Sequence, residues 1–197
     1  MNITTKNIDN NSSMNYGVGK YKINSFEIQN SSTGAQRIRM NMESMPVNDA
    51  NFNGVEGAKG QVGRVILSSY MNPNKDSYQG MMNNFLRKVS DIADALGVRD
   101  QLNAVEAANL DEYIHKITPL LTNKFTNWVI GAEEYVTEKD GKMVTRYSLV
   151  TPNYGFVNAD ETKLTFDKTK TYHYKPVVME NVSTTPIEDD SSEAAGW

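Results

Sequence analysis

The chain has 197 residues, a net charge of −4 and no cysteine. That length suits one domain with appendages, and the lack of cysteine excludes disulfide frameworks, thiolate zinc sites and thiol nucleophiles. The chain contains no run of about 18 apolar residues, so no membrane span is predicted. Its Asn/Ser/Thr-rich start, Met1 to Ser13, lacks the apolar stretch that a signal peptide needs.

Charge is distributed unevenly along the chain. Residues 1–90 carry ten bases and six acids, residues 91–112 carry six acids and one base, and residues 187–197 carry four acids and no base. Local charge rather than the total decides whether a surface binds phosphates. The basic first half therefore keeps nucleic acid among the candidate ligands.

The first predicted strand is Lys20–Ile28. Tyr21 and Ile23 alternate with polar residues, and the apolar positions then continue one register later at Phe26 and Ile28. Such a phase slip predicts a β-bulge within a long strand.

The second strand, Gln36–Glu43, has the clearest alternation in the chain. Its two predicted faces are Ile38, Met40, Met42 and, opposite them, Arg37, Arg39, Asn41. A Gly/Asn-rich loop, Val47–Gln61, leads to a third predicted strand, Val62–Tyr70.

The hydrophobic period then changes to that of an amphipathic helix, ending at Gly97 as a C-terminal cap. The apolar positions of this helix are Met82, Phe85, Leu86, Val89, Ile92, Ala93 and Leu96. A looser helical stretch covers Leu102–Ile117, with Asn109 as a cap for its second half and a break near Pro119.

Strand patterns return at Phe125–Thr137 and Met143–Val150, joined by a predicted hairpin turn at Asp140-Gly141. Lys163–Lys175 is a further candidate strand. The order is three strands, a helical insertion and two strands, which predicts a five-stranded, partly open β-barrel of the OB type with its helices between strands three and four. A generic α+β sheet capped by helices is the alternative.

This interpretation divides the chain into three regions. We expect a flexible N-terminus (1–15), an OB-fold domain (16–177) containing the helical insertion (77–121), and a disordered acidic tail (178–197).

No catalytic constellation is apparent. The two histidines, His115 and His173, lie in unlike contexts, and no glycine-rich phosphate loop, HExxH motif or nucleophile elbow occurs. The adjacent Glu133 and Glu134 would point to opposite faces of a strand. The prediction is therefore a non-enzymatic binding protein without a metal or other cofactor.

Sequence-tolerant binding of single strands uses aromatic rings for the bases and Lys or Arg for the phosphates. The candidate nucleic-acid-binding residues are Lys20, Lys22, Arg37, Arg39, Phe52, Lys59, Arg64, Tyr70, Lys75, Tyr78, Lys142, Arg146 and Tyr147. Alternatives stay open for several of them: a solvated sheet face for the arginines, a loop anchor for Phe52, and a wedge between helix and barrel for Tyr70 and Tyr78.

Three segments carry a resemblance to a known family: Gly17–Ile23 with Ser32-Thr33-Gly34, Asn84–Gly97, and the hairpin Asn123–Glu134 with Gly141–Tyr147. Together with the acidic, aromatic-ended tail, they resemble phage-encoded OB-fold single-stranded-DNA-binding proteins. The likeness covers about Gly17–Val150 plus the tail.

The resemblance implies a factor of DNA replication or recombination that coats single-stranded DNA without sequence specificity in the cytoplasm of an infected bacterial host. Its tail would recruit replication or recombination proteins through Glu188, Asp189, Asp190, Glu193 and Trp197. The tip Ala195-Gly196-Trp197 departs from the Pro-Phe ending of the bacterial proteins of this class.

The acidic stretch 91–112 is a candidate surface for a homo-oligomer. Two alternative functions remain: a structural or packaged phage protein that uses the barrel as a protein-docking module, and an accessory domain of an enzyme.

Overall fold

A computed structural model describes residues 17–45, 62–139, 142–164 and 174–176. The principal strands are β1 (Gly17–Asn30), β2 (Gln36–Ser44), β3 (Val62–Ile66), β4 (Thr126–Lys139) and β5 (Lys142–Val150). Three helices lie between β3 and β4: α1 (Tyr78–Leu96), α2 (Arg99–Asn103) and α3 (Leu110–Leu121). Two short strands follow, β6 (Val157–Asn158) and β7 (Tyr174–Pro176).

The five principal strands form a closed barrel. Strand β1 pairs antiparallel with β2 and also with β4, so the order β1-β2-β3-β5-β4 returns to β1. Strands β3 and β5 are parallel, with Val65 opposite Leu149. This is the strand order of an OB-type barrel with helices between its third and fourth strands, as predicted, and the generic capped sheet is ruled out.

The predicted bulge in the first strand is confirmed. The register between β1 and β2 shifts between Ile23 and Ser25. Tyr21 and Ile23 are fully buried before the shift, and Phe26 and Ile28 pack against the core after it. The extra residue thus keeps apolar side chains on the inner face along the whole strand.

Helix α1 closes one end of the barrel with its apolar face. Phe85, Val89 and Ile92 are buried in the same cluster as Trp128, whose indole nitrogen donates to the Tyr21 carbonyl at 3.1 Å. An indole N–H in a core needs such an acceptor. The prediction that Trp128 belongs to the core is confirmed.

Both predicted helix caps are present. The side-chain oxygen of Asn109 accepts a hydrogen bond from the Glu112 backbone N–H at 2.9 Å. Gly97 has φ 68° and ψ 31°, in the left-handed region. Its N–H donates to the Asp94 carbonyl at 3.1 Å, so the chain reverses after α1 where glycine is favoured.

We expect Gly97→Ala to lower the free energy of unfolding by about 1–2 kcal/mol, because an L-residue is strained in this conformation. Space is not the cause, since a Cβ there would meet no atom within 4 Å. Gly80→Ala is the matched control: it also meets no atom within 4 Å and lies inside α1. It should stabilise by up to about 1 kcal/mol. If urea unfolding shows the same change in free energy for both variants, the backbone conformation of Gly97 is not the cause of the loss.

Some predicted boundaries were wrong. Strand β3 ends at Ile66 rather than Tyr70, because the N–H groups of Leu67 and Ser68 both donate to the Ile38 carbonyl and regular pairing with β2 stops there. The chain pairs with β2 again at the Gln36–Met71 bridge. Helix α3 continues through Pro119 to Leu121. A proline in the last turn removes a single helical hydrogen bond, and that loss does not outweigh the burial of Ile117 and Leu121.

The described residues of the predicted strand Lys163–Lys175 form a strand only at its C-terminal end. Glu161–Lys163 is a 3-10 turn and Leu164 is a buried residue outside any strand. Residues 165–173 lie outside the described part of the chain, and strand β7 pairs in parallel with β4 only at Tyr174–Pro176.

Candidate nucleic-acid interface

The outer face of β1, β2 and β3 carries the basic residues singled out in the sequence. Alternation along β2 buries Ile38 and Met40 and turns Arg37 and Arg39 outward, as predicted. The cross-strand pairs bring further residues onto this face: Gln29 beside Arg37, Glu27 beside Arg39, and Arg64 beside Asn41.

This surface, called the basic face below, has an excess of positive charge. Its charged residues are Lys20, Lys22, Glu27, Arg37, Arg39, Glu43 and Arg64. Five of these seven side chains are cationic, so the face attracts polyanions even though the chain as a whole is acidic.

The two acids of the basic face make ion pairs on it. Lys22 Nζ lies 3.2 Å from Glu43 Oε2, and Arg64 Nε lies 3.7 Å from Glu27 Oε2. A hydrogen bond from Asn24, followed by the contact with Lys22, lowers the pKa of Glu43. Exposed pairs of this kind contribute about 0–1 kcal/mol, so both cations can exchange their partner for a phosphate at little cost.

At one end of the basic face an arginine stacks on a tyrosine. The Arg37 guanidinium carbon lies 4.7 Å from the centroid of the Tyr70 ring, and Arg37 Nε donates to Gln29 Oε1 at 2.7 Å. Tyr70 is 36% exposed. The two contacts hold the guanidinium in one orientation and leave part of the ring accessible to a ligand.

At the other end a lysine lies over a phenylalanine. Lys22 Nζ is 5.3 Å from the centroid of the Phe125 ring, and Phe125 is 38% exposed. Phe125 was missed as a site residue in the sequence, although the alternation through Trp128 and Ile130 predicts that it points away from the barrel interior. Aromatic rings thus flank the basic face at both ends.

Arg39 and Lys20 complete the basic face. Arg39 is partly exposed and Lys20 is exposed. Among the described side chains, no acid lies within ion-pair distance of either one. Their charges are therefore the most available for an anionic ligand.

The predicted Tyr70–Tyr78 cluster divides in the structure. Tyr70 joins Arg37 on the basic face, whereas Tyr78 begins α1 and packs against the core, which favours the wedge alternative for that residue. Lys75 is exposed in the turn between them, where the Asn72 side chain accepts from the Asn74 N–H at 3.0 Å.

The side chains of the remaining predicted residues lie outside the part of the chain that the structure describes. Phe52 and Lys59 lie outside the described residues, as do the tail residues Glu188, Asp189, Asp190, Glu193 and Trp197. The backbones of Lys142, Arg146 and Tyr147 are in β5, opposite Lys139, Tyr135 and Glu134 of β4. The positions of these three side chains on the hairpin stay predictions.

In the part of the chain that the structure describes, no cluster of three or more His, Asp or Glu residues is arranged to hold a metal ion. Over the same residues, none of the helices has the length and apolar character required to cross a bilayer.

The fold and the basic face together define an OB-type barrel with a cationic outer surface bordered by aromatic rings. A scan against protein-family models finds no matching family, and a search of curated proteins finds no significant match.

Proposed function

We propose that this protein binds single-stranded DNA without sequence specificity, through the basic face. The observation that carries the proposal is the arrangement of Arg37 with Tyr70 and Lys22 with Phe125 at the two ends of one cationic sheet surface. Cations for the phosphates and rings for the bases are what sequence-tolerant binding of single strands requires.

The combination of cationic side chains and aromatic rings on the basic face favours binding of a single strand over a duplex. Stacking on an aromatic ring needs an unpaired base with an accessible π-face, and it contributes about 1–3 kcal/mol per base. A duplex offers phosphates but keeps its bases stacked on one another. We therefore expect single strands to bind more tightly than a duplex of the same length.

The resemblance to phage single-stranded-DNA-binding proteins supports a role in phage DNA replication or recombination. In that role the protein protects exposed strands in the host cytoplasm, and its acidic tail recruits other proteins.

The proposal is tested by titrating fluorescent dT and rU oligonucleotides with the full-length protein at two salt concentrations, while the mass of the free protein is measured in solution. If about six phosphates are contacted, log Kd should change with log salt with a slope of about 4, from about 0.7 per phosphate. Binding that is absent or insensitive to salt would contradict the proposal. Binding to acidic proteins alone would favour the docking-module alternative.

Removal of residues 187–197 should tighten DNA binding a few-fold at low salt, because four acids no longer compete with phosphates for the basic face. The difference should disappear at high salt, where charges are screened. The control keeps the length and replaces Glu188, Asp189, Asp190 and Glu193 by their amides. If the amide variant binds DNA with the same affinity as the unaltered protein, the negative charge of the tail does not weaken DNA binding.

A further inference from the structure

A cleft lies between helix α1 and the segment that follows β5, outside the basic face. Its volume is about 500 Å³. Arg87, Asp91 and Asp94 line it from the helix, and residues 154–159 line it from the other side.

The ring of Tyr154 at the edge of this cleft is unusually accessible. Tyr154 is 73% exposed, the largest exposure among the described large apolar and aromatic residues. The Arg87 guanidinium carbon lies 4.2 Å from the ring centroid. The ring is therefore backed by a cation while most of its surface remains open to solvent.

The guanidinium behind the ring is fixed by three acceptors. Arg87 donates to Asn84 Oδ1 at 2.7 Å, to Asp91 Oδ2 at 3.0 Å and to the carbonyl of Asn153. The last bond ties Arg87 to the residue before Tyr154. Because these bonds already hold the cation, stacking a ligand on Tyr154 requires little reorganisation.

The wall opposite the helix is also fixed, by hydrogen bonds to β4. The Val129 N–H donates to the Phe156 carbonyl at 2.7 Å. The Asn127 side-chain amide donates to the Asn158 carbonyl at 3.3 Å and to the Ala159 carbonyl at 2.8 Å. The cleft is therefore held open between two well-anchored elements.

The carboxylates that line the cleft indicate which kind of ligand it can bind. Asp94 is exposed and pairs with Arg99 at 3.1 Å, and Asp91 pairs with Arg87. Each ion pair joins one carboxylate oxygen, Oδ2, to its arginine. The second oxygen can accept from the amino group of a flat heterocycle, as when Asp or Glu accepts from the amino group of cytosine.

We propose that this cleft binds an unpaired nucleobase, which stacks on Tyr154 and directs an exocyclic amino group toward Asp91 and Asp94. The cleft should therefore prefer cytosine and adenine to thymine. The inference goes beyond binding at the basic face and does not depend on it, because none of the residues that line the cleft belongs to the basic face.

Neutral nucleosides provide the direct test. Cytidine, adenosine and thymidine are titrated into the full-length protein, and binding is followed by saturation-transfer NMR. Cytidine and adenosine should give stronger signals than thymidine, and Tyr154→Ala should weaken their binding about fivefold or more, as expected for loss of one stacked ring. Tyr154→Phe should retain it, because the ring is kept.

A second variant tests the role of the carboxylates. Asp94→Asn should reduce the preference for cytidine over thymidine while Tyr154 still supports stacking. Asp94 is exposed, so this exchange is not expected to disturb folding. An unchanged preference would overturn the assignment of the acceptors.

Oligonucleotides distinguish a free nucleoside from a base within a strand. The affinities of dC and dT oligomers are compared for the unaltered protein and for Tyr154→Ala at high salt, where phosphate contacts contribute least. A preference for dC that depends on Tyr154 supports the proposal for bases within a strand. If Tyr154→Ala changes neither the nucleoside signal nor the dC preference, the inference is wrong, whatever the basic face binds.

Discussion

Replacing Arg37 and Arg39 together by alanine should weaken binding of single-stranded DNA at least tenfold, and it should do so equally for all sequences. A charge-assisted hydrogen bond contributes about 1.5–3 kcal/mol, and a loss of about 1.4 kcal/mol is already tenfold in Kd. The salt dependence should become shallower by about 1.4 in the log–log slope, which is twice the 0.7 expected for each phosphate contact.

The slope is the decisive measurement, because it separates lost phosphate contacts from a general loss of stability. Arg99→Ala with Lys116→Ala is the matched control. It removes the same two charges from the helical side of the molecule, where both residues are in exposed ion pairs, with Asp94 and Glu112. The control should change affinity little. If both double variants weaken DNA binding equally, the net charge of the protein determines the affinity, and the basic face is not the binding site.

Lys88→Met should lower the free energy of unfolding by about 2–4 kcal/mol at about pH 9.5, where Lys88 is uncharged in the folded protein, and by less at neutral pH, where the variant also removes the cost of burying a charge. Lys88 is only 5% exposed, and its ammonium group donates to the Leu67 carbonyl at 3.2 Å, the Thr151 carbonyl at 3.1 Å and Thr151 Oγ1 at 2.9 Å. Methionine fills similar volume but donates nothing, so two buried carbonyls lose a donor at about 1–3 kcal/mol each.

The structural reason for so large an effect is that Lys88 joins three elements. It reaches from α1 to the ends of β3 and β5, and it lies 5.8 Å from the Phe156 ring. Urea unfolding measures the change. Lys116→Met is the control, because Lys116 is exposed on α3 and should cost less than about 1 kcal/mol. Equal losses would show that the buried ammonium group is not the cause.

Lys88 also predicts a pH dependence of stability. Burial, with a smaller contribution from the neighbouring charge of Arg87, lowers the pKa of Lys88 to about 8. In the unfolded chain its pKa is about 10.4. Between these values the unfolded state binds more protons, so the contribution of Lys88 to stability rises as pH increases from about 8 to about 10.

The measurement compares unfolding free energies of the unaltered protein and Lys88→Met at about pH 7.5 and pH 9.5. The difference should grow in favour of the unaltered protein by on the order of 1–3 kcal/mol. The pKa of Tyr21 is raised by burial, which opposes stability only at still higher pH. A difference that does not change with pH would mean that Lys88 keeps its proton across this range.

The sequence was sufficient for the elements whose pattern is local. Alternation in β2 predicted which face Arg37 and Arg39 occupy, because successive side chains on a strand point to opposite sides. The phase slip after Ile23 predicted the bulge, and Asn109 and Gly97 predicted helix ends because caps depend on a few neighbouring residues.

The sequence could not show which residues meet across the barrel. Lys88 follows Arg87 in a helical pattern that gives no sign of burial. The oxygens that offset the cost of burying its ammonium group come from the residues after β3 and β5, which approach α1 only in the folded protein. Similarly, the stacking of Arg87 on Tyr154 joins residues far apart in the chain.

What the sequence by itself determined is therefore the strand and helix order, the inner and outer faces, and the uneven distribution of charge. The tertiary structure decided which rings flank the cations, since Tyr70 and Phe125 reach Arg37 and Lys22 only when β1 closes against β4 and the segment after β3 returns to β2. The physical reason is that periodicity fixes the direction of a side chain relative to its own element, whereas contacts depend on how separate elements pack.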